Sequence, residues 1–192
     1  MQSSVDYPLV VFEGVDNSGK TTISKRLAEK WTQFRWSKEP TFTTQEADRL
    51  NSGEFDGKDA EREVMFLEGR LRQQSLYRNN PVFLDRYLWS GLAYAWAFST
   101  SIFDFCVPLY QNYNIFKKPT LTFFMETPLK TCQEREPSLT MARLDRIRMG
   151  YKETEKYVNT PIVVIDGTKD IDSCVKQCED ALYEHVPAYF VR

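Results

Sequence analysis

The sequence predicts an α/β fold in which a five-stranded parallel sheet carries helices on both of its faces. Apolar runs of about five residues alternate along the chain with longer segments of helical periodicity, which is typical of a parallel sheet covered by crossover helices. Each apolar run leads into polar or turn-forming residues, as strands do where they end. Residues 1–192 are expected to form one domain, because a single core typically serves about 100 to 200 residues.

Strand and helix boundaries follow from local patterns. The predicted strands are residues 9–13, 34–37, 81–85, 121–125 and 162–166. Ile23 and Leu27 lie four positions apart, which predicts a helix packed on the sheet after the first strand. Asp170 is suited to cap the last helix. Thr127 and Pro128 predict a helix that is capped by Thr127 and has the proline at its first position.

Composition excludes several classes of function. The formal net charge of -2 argues against a surface built to bind nucleic acid. No apolar run approaches the roughly 20 residues of a membrane-spanning helix, and residues 1–7 lack the pattern of a secretory signal. The four cysteines are too few and too scattered for the disulfide framework of a small secreted protein. We therefore expect a reducing intracellular compartment, the cytoplasm, and no nucleic-acid or membrane partner.

A phosphate-binding loop directly follows the first predicted strand. Residues 14–21 read Gly-Val-Asp-Asn-Ser-Gly-Lys-Thr, a full match to Gly-x-x-x-x-Gly-Lys-Ser/Thr. Its glycines let successive N–H groups point inward, and the helix that begins near Gly19 adds its positive end. Lys20 can neutralise the β and γ phosphates of a nucleotide, and the Thr21 hydroxyl can ligate Mg²⁺. The expected ATP-binding residues here are Gly14, Asn17, Ser18, Gly19, Lys20, Thr21 and Thr22.

The loop alone does not identify the reaction, since GTPases, ATPases and kinases share it. The chain has nothing that resembles the Asn-Lys-x-Asp motif with which GTPases read their base, and it is short for a motor protein. We therefore favour a P-loop NTPase fold of the small-molecule kinase class, with ATP as donor and Mg²⁺ as cofactor.

Two further features can bind an acceptor. The third strand ends in Asp85 and Arg86; a planar guanidinium there can hold an acceptor phosphate in line with the donor, and Asp85 can hold Mg²⁺ through water. Phe66 and Arg70 lie one helical turn apart, so an aromatic ring and a guanidinium project from the same face of a helix. The alternatives are a surface ion pair at the strand end and a core role for Phe66.

Three segments resemble signatures of the thymidylate kinase family. They are residues 12–22, Phe-Glu-Gly-Val-Asp-Asn-Ser-Gly-Lys-Thr-Thr, and residues 85–94, Asp-Arg-Tyr-Leu-Trp-Ser-Gly-Leu-Ala-Tyr. Residues 65–70, Met-Phe-Leu-Glu-Gly-Arg, are similar to the family's helix whose Phe stacks on thymine and whose Arg bonds the thymine carbonyl. The resemblance spans essentially the whole chain. It implies a nucleoside monophosphate kinase fold and transfer of the γ-phosphoryl group of ATP to dTMP.

The resemblance also implies roles for single residues on the acceptor side. Asp16 would meet the sugar and phosphate side of dTMP, and Tyr94 would crowd the 2′ position and favour deoxyribose. Ser90 would touch the base or order its helix. Lys38 occupies a position where the family usually has Arg. A lysine there keeps the positive charge for the acceptor phosphate but lacks the two parallel N–H donors of a guanidinium. The expected dTMP-binding residues are Asp16, Lys38, Phe66, Arg70, Arg86, Ser90 and Tyr94.

Residues 135–143 are similar to a shortened version of the family's basic lid, which can supply charge-stabilising arginines. Residues 166–168 lie where relatives wrap adenine with backbone groups, so Asp166 and Thr168 are expected near ATP. The lid candidates are Arg135, Arg143, Arg146 and Arg148, with Arg143 ranked first. The predicted catalytic residues are Lys20, Arg86, Asp16 and Arg143, and the predicted metal ligands are Thr21 and Asp85. The resemblance also implies a homodimer, which is the usual assembly in the family.

Two other functions remain open at this point. In a deoxynucleoside kinase the acceptor is a sugar hydroxyl, and a carboxylate near the first strand, such as Glu13, would activate it. A non-catalytic nucleotide-binding module would use the same phosphate loop without any acceptor. The strand end at Arg86 and the pair Phe66 and Arg70 suit a monophosphate and thymine better.

Overall fold

The computed structural model describes residues 6–98 and 100–190, and in these ranges the chain forms a five-stranded parallel sheet in the order β2-β3-β1-β4-β5. The strands are β1 Leu9–Glu13, β2 Arg35–Lys38, β3 Val82–Asp85, β4 Leu121–Glu126 and β5 Ile162–Asp166. The predicted fold class and all five strands are confirmed. The bounds of β2, β3 and β4 differ from the prediction by one residue. The prediction for residues 1–7 lies mostly outside the described residues.

Helices connect the strands. They are α1 Lys20–Lys30, α2 Thr44–Asn51, α3 Asp59–Arg72, α4 Gln74–Asn79, α5 Leu88–Phe98, α6 Thr100–Tyr110, α7 Leu129–Arg135, α8 Met141–Thr154 and α9 Ile171–His185. Short 3₁₀ turns follow α8 and α9 at Glu155–Tyr157 and Pro187–Tyr189. The Asp170 cap of α9 is confirmed, since its carboxylate accepts a hydrogen bond from the Ser173 N–H at 2.9 Å.

The predicted start of α7 was wrong by one residue. Pro128 itself occupies the cap, and the helix begins at Leu129. The Thr127 hydroxyl instead donates a hydrogen bond to the Ser18 carbonyl at 2.8 Å, which ties the end of β4 to the phosphate loop. A tertiary partner therefore replaced the local capping bond that the sequence pattern favoured.

The central strand β1 is buried on both sides of the sheet. Val10 and Phe12 face a core built with α1 and α9, whereas Leu9 and Val11 face a second core built with α5 and α6. This alternation follows from the two-residue period of a strand, and burial on both faces explains why β1 is a continuous apolar run.

One edge of the sheet collects the polar strand ends. Phe12 of β1 pairs with Asp85 of β3, and Asp85 also pairs with Lys38 of β2. The phosphate loop leaves β1 at this same edge, because parallel strands all end on one side. No helix within the described ranges is long and apolar enough to cross a membrane.

Leu27→Ala tests the core under α1. Leu27 is fully buried, so its truncation should lower the free energy of unfolding by about 2 to 5 kcal/mol through lost burial and the remaining cavity. Urea denaturation measures the change. Val164→Ala is the matched control, because the Val164 side chain is 54% exposed and its loss should change stability by less than about 0.5 kcal/mol. Equal effects of the two substitutions would contradict the assignment of Leu27 to the core.

Candidate active site

The loop between β1 and α1 has the backbone geometry of a phosphate cradle. Gly14 and Gly19 have φ values of 139° and 102°, which L side chains rarely adopt. A Cβ at position 14 would also lie 2.9 Å from the Met125 carbonyl oxygen. Gly19 caps α1, and no side chain in the described part of the chain caps its first turn. The first N–H groups of α1 are therefore free of side-chain competition for an anion.

Lys20 lies buried inside this cradle. Its ammonium group donates hydrogen bonds to the Val15 carbonyl and, at 3.2 Å, to the Ser18 hydroxyl. Burial, and then the positive charge of Arg86, lower the pKa of Lys20 to about 7. A nucleotide's phosphates would bring negative charge next to the ammonium group and favour its charged form.

Thr21 and Asp85 form the predicted metal-binding pair. The Thr21 hydroxyl donates a hydrogen bond to Oδ2 of Asp85. Oδ1 of Asp85 is buried and has no hydrogen-bond partner within residues 6–98 and 100–190. A buried carboxylate oxygen without a partner is costly, and Mg²⁺ prefers such oxygen ligands. Among the described residues, no group of three or more His, Cys, Asp or Glu side chains is arranged so that it could hold a metal ion. The pair therefore fits Mg²⁺ that takes its remaining ligands from phosphates and water.

A cavity of about 410 Å³ opens beside the loop, a size that suits a nucleotide. Beyond the loop, its lining residues include Lys38, Asp85, Arg86, Arg135, Gly167, Lys169, Ile171 and Cys174. Cys174 was not predicted as a site residue from the sequence, because only the fold brings α9 to this cavity. Gly167 lines the cavity, while the exposed Asp166 carboxylate accepts hydrogen bonds from the backbone and hydroxyl of Thr168.

Arg135 and Arg143 occupy different places. Arg135 ends α7, and its Nη1 donates a hydrogen bond to the Asn17 carbonyl at 2.9 Å. Arg143 is exposed on α8, and its guanidinium lies 4.9 Å from the centroid of the Phe98 ring. The structure thus brings Arg135 to the phosphate loop. The catalytic role of Arg143 stays a prediction.

On the acceptor side, Asp16, Arg86 and Tyr94 form one cluster. Nη2 of Arg86 lies 2.6 Å from Oδ1 of Asp16, which also accepts a hydrogen bond from the Tyr94 hydroxyl at 2.7 Å. The guanidinium lies over the Tyr94 ring, 5.4 Å from its centroid. Arg86 has a φ of 70°, a strained backbone that often occurs at functional sites. The structure therefore brings three of the predicted dTMP-binding residues together, and their role in binding stays a prediction.

Glu13 has a structural role that the sequence did not reveal. It is almost fully buried and accepts hydrogen bonds from the Tyr87 and Ser90 backbones and from the Ser90 and Tyr151 hydroxyls. Burial raises the pKa of Glu13, although the hydrogen bonds from Ser90, the charge of Arg86 and the hydrogen bond from Tyr151 work against the shift. Ser90 therefore orders the start of α5, one of its two predicted roles.

Phe66 and Arg70 both lie on α3, as predicted. Phe66 is half-buried, with its ring centroid 5.3 Å from that of Phe42. Arg70 is 3% exposed, and its Nη1 donates hydrogen bonds to Glu63 at 3.0 Å and to the Tyr110 hydroxyl at 2.5 Å. Burial disfavours the guanidinium charge, but the electrostatic effects of Tyr110 and Glu63 outweigh it and raise the pKa of Arg70.

The sheet, the phosphate loop and the acceptor-side cluster define a P-loop kinase of the nucleoside monophosphate kinase type. The family model described as thymidylate kinase matches residues 12–178. The thymidylate kinase of Leptospira borgpetersenii is 32% identical over 192 residues, covering 88% of this chain and 90% of the relative. A probable thymidylate kinase of Methanocaldococcus jannaschii is 29% identical and covers 86% and 89%. The chain therefore belongs to the thymidylate kinase family.

Solved structures support the fold. A thymidylate kinase from Candida albicans has a TM-score of 0.77 at 21% identity and covers 98% of this chain and 96% of its own. A deoxyadenosine kinase from M. mycoides has a TM-score of 0.75 at 15% identity and covers 92% and 99%. Both similarities concern the fold alone. The fold alone therefore does not identify the acceptor, which depends on the side chains of the site.

Arg135→Ala tests which arginine serves the donor site. Because Arg135 contacts the loop and lines the cavity, its removal should raise the KM for ATP about tenfold, the effect of losing one charged contact. Steady-state kinetics measure the change. Arg148→Ala is the control, since Arg148 is an exposed arginine that pairs with Asp145 on α8. An unchanged KM for ATP in Arg135→Ala would contradict this assignment.

Proposed function

We propose that the chain transfers the γ-phosphoryl group of ATP to dTMP and forms dTDP. The observation that carries this proposal is the end of β3, where two adjacent residues contact two different groups of predicted site residues. Asp85 bonds Thr21 of the donor loop, while Arg86 bonds Asp16 and stacks on Tyr94 on the acceptor side. A donor phosphate and an acceptor phosphate would meet between them.

The residues around this point are suited to in-line phosphoryl transfer, which depends mainly on positioning and charge stabilisation. Lys20 and the loop N–H groups hold the β and γ phosphates, and Arg135 adds charge from α7. Arg86 holds the acceptor phosphate in line, and Asp16 and Tyr94 fix the orientation of Arg86. Mg²⁺, held by Thr21 and Asp85, would neutralise charge on the donor phosphates when bound. No covalent enzyme intermediate is needed.

On the base side, we propose that Phe66 stacks on thymine and that Arg70 donates to its carbonyl. Both side chains lie on α3, and Arg70 lies against Gly91 of α5, next to Ser90. Lys38, at the end of β2 beside Asp85, would add a positive charge near the phosphates. Gly167, with neighbouring backbone groups, would surround the adenine of ATP.

The deoxynucleoside kinase alternative is weaker, although a deoxyadenosine kinase shares the fold. Glu13, its candidate base, is buried and accepts four hydrogen bonds from the start of α5 and from Tyr151. Both oxygens of Glu13 already accept hydrogen bonds, so Glu13 is less suited to take a proton from a sugar hydroxyl than an unpaired carboxylate would be. The Arg86 cluster also favours an acceptor that already carries a phosphate.

We also propose that residues 1–192 act in the cytoplasm as a single kinase domain with a short lid near residues 135–143. The lid connects α7 to α8 and is mostly exposed. The four cysteines are buried and unpaired, which suits a reducing compartment.

A second copy of the chain is the proposed partner. Three large apolar side chains are exposed on α3 and α6, with Val64 51%, Leu71 41% and Phe105 59% accessible. A groove of about 240 Å³ between the two helices is lined largely by apolar groups. Exposed apolar surface of this kind is typical of protein interfaces. We therefore place the homodimer contact on α3 and α6.

The acceptor assignment is tested by ADP release with thymidine, dTMP and dUMP in turn, in the presence of Mg²⁺. We expect release with dTMP and none with thymidine. Lys20→Ala should lower turnover about 100- to 1000-fold, as the loss of a single electrostatic contact to the reacting group does. Lys130→Ala, on an 85% exposed side chain, should have no effect. Activity with thymidine alone would favour a nucleoside kinase, and ATP binding without acceptor-dependent release would favour a non-catalytic module.

Phe105→Glu tests the homodimer. A carboxylate at the centre of an apolar contact should dissociate the dimer, because burying an unpaired charge is costly. Light scattering after size-exclusion chromatography measures the mass. Val164→Glu is the control, since Val164 is similarly exposed but lies on β5. A monomeric unsubstituted protein would contradict the proposal, as would a Phe105→Glu protein that remains dimeric.

A further inference from the structure

Arg70 belongs to a closed triangle of hydrogen bonds between α3 and α6. Its Nη1 donates to Oε1 of Glu63 at 3.0 Å and to the Tyr110 hydroxyl at 2.5 Å. The Tyr110 hydroxyl in turn donates to the same Glu63 oxygen at 2.6 Å. Glu63 and Arg70 are seven residues apart on α3, so they lie two turns apart on one face. Nη1 of Arg70 is therefore held by side chains of both α3 and α6.

The other side of the guanidinium retains an unused donor. Nε of Arg70 is buried and has no hydrogen-bond partner in the described part of the chain. Leaving a buried charged donor unpaired is costly, so such a group is suited to a ligand acceptor. Glu63 and Tyr110 engage Nη1, on the opposite side of the fork, and leave Nε available.

Gly91 supports the same arrangement from α5. A Cβ at position 91 would lie 2.6 Å from the Tyr110 ring and 3.2 Å from Cζ of Arg70. Because glycine has no Cβ, α5 can approach both side chains closely. Gly91 follows Ser90 in the first turns of α5, on the acceptor side. The triangle thus lies directly against the helix that the proposed function assigns to the acceptor.

We infer that Glu63 and Tyr110 are positioning residues that orient Arg70 to read a carbonyl oxygen on the acceptor's pyrimidine base. This inference rests on the proposed function. A long arginine side chain has many rotamers, and fixing one of them in advance lowers the entropy lost on binding. An N–H donor in a fixed orientation can donate to a carbonyl oxygen of the base but not to an amino group at the same position of the base. The triangle therefore sets selectivity for thymine over cytosine.

Tyr110→Phe and Glu63→Gln test the inference with little change in side-chain size. The first removes the Tyr110 hydroxyl, and the second removes the negative charge of Glu63. The KM for dTMP should rise about tenfold in each variant, while kcat and the KM for ATP change less than about threefold. The selectivity for dTMP over dCMP, measured as a ratio of kcat/KM values, should fall by about the same factor. Glu68→Gln, an exposed carboxylate on α3, is the matched control. General destabilisation would lower both activities without changing their ratio.

Two further measurements show whether Glu63 and Tyr110 act through Arg70. In an Arg70→Ala background, Tyr110→Phe and Glu63→Gln should add less than about a twofold change, because the group that they orient is gone. Full additivity would overturn the inference, as would an unchanged KM for dTMP in both single variants.

The NMR signal of the Arg70 Nε–H group gives a readout that is independent of activity. In the free protein this signal should be sharp, and Tyr110→Phe should broaden it as the guanidinium gains motion. If the unsubstituted protein does not use dTMP, the proposed function fails. In that case a sharp signal that broadens would still support the positioning of Arg70, and an unaltered signal would overturn it.

Discussion

The active site depends on one buried carboxylate, that of Glu13. Glu13 ends β1 immediately before the phosphate loop, and it accepts hydrogen bonds from the backbone and the hydroxyl at the start of α5. A buried charge without partners would be costly, so these bonds fix α5 relative to β1. The dipole of α5 also favours this contact, because a negative charge is stabilised near a helix N-terminus. Glu13 thereby joins the end of β1 to α5, and the hydrogen bond from Tyr94 to Asp16 adds a second link between α5 and the phosphate loop.

The sequence predicted the strands well because a parallel sheet buries both faces of its strands and leaves clear apolar runs. It also predicted the phosphate loop, which is a contiguous segment with strict backbone requirements. It did not predict the role of Glu13, whose partners lie more than 70 positions away in the chain. It named Arg135 among four candidate arginines but could not show that Arg135 contacts the loop, because that contact depends on how α7 packs. Tertiary contacts of this kind leave no local pattern.

A shared fold does not fix the acceptor in proteins of this type. Solved structures of a thymidylate kinase and of a deoxyadenosine kinase superpose on this chain with similar TM-scores. Family membership instead follows from the match of residues 12–178 and from the relatives in sequence. The features that favour a monophosphate acceptor are few and local. They are the Arg86 cluster and the hydrogen-bonded carboxylate of Glu13, together with Phe66 and Arg70 on α3.

The end of β3 places Asp85 and Arg86 on neighbouring positions of the backbone. Their Cα atoms are therefore held about 3.8 Å apart by one trans peptide unit. Rearrangements elsewhere in the chain cannot change this separation, whereas they can change contacts made between different elements. An insertion between the two residues would separate the proposed metal ligand from the proposed phosphate-binding arginine, while an insertion in the turn after α2 would leave their spacing intact. Covalent geometry thus fixes the spacing of these two residues independently of how the elements pack.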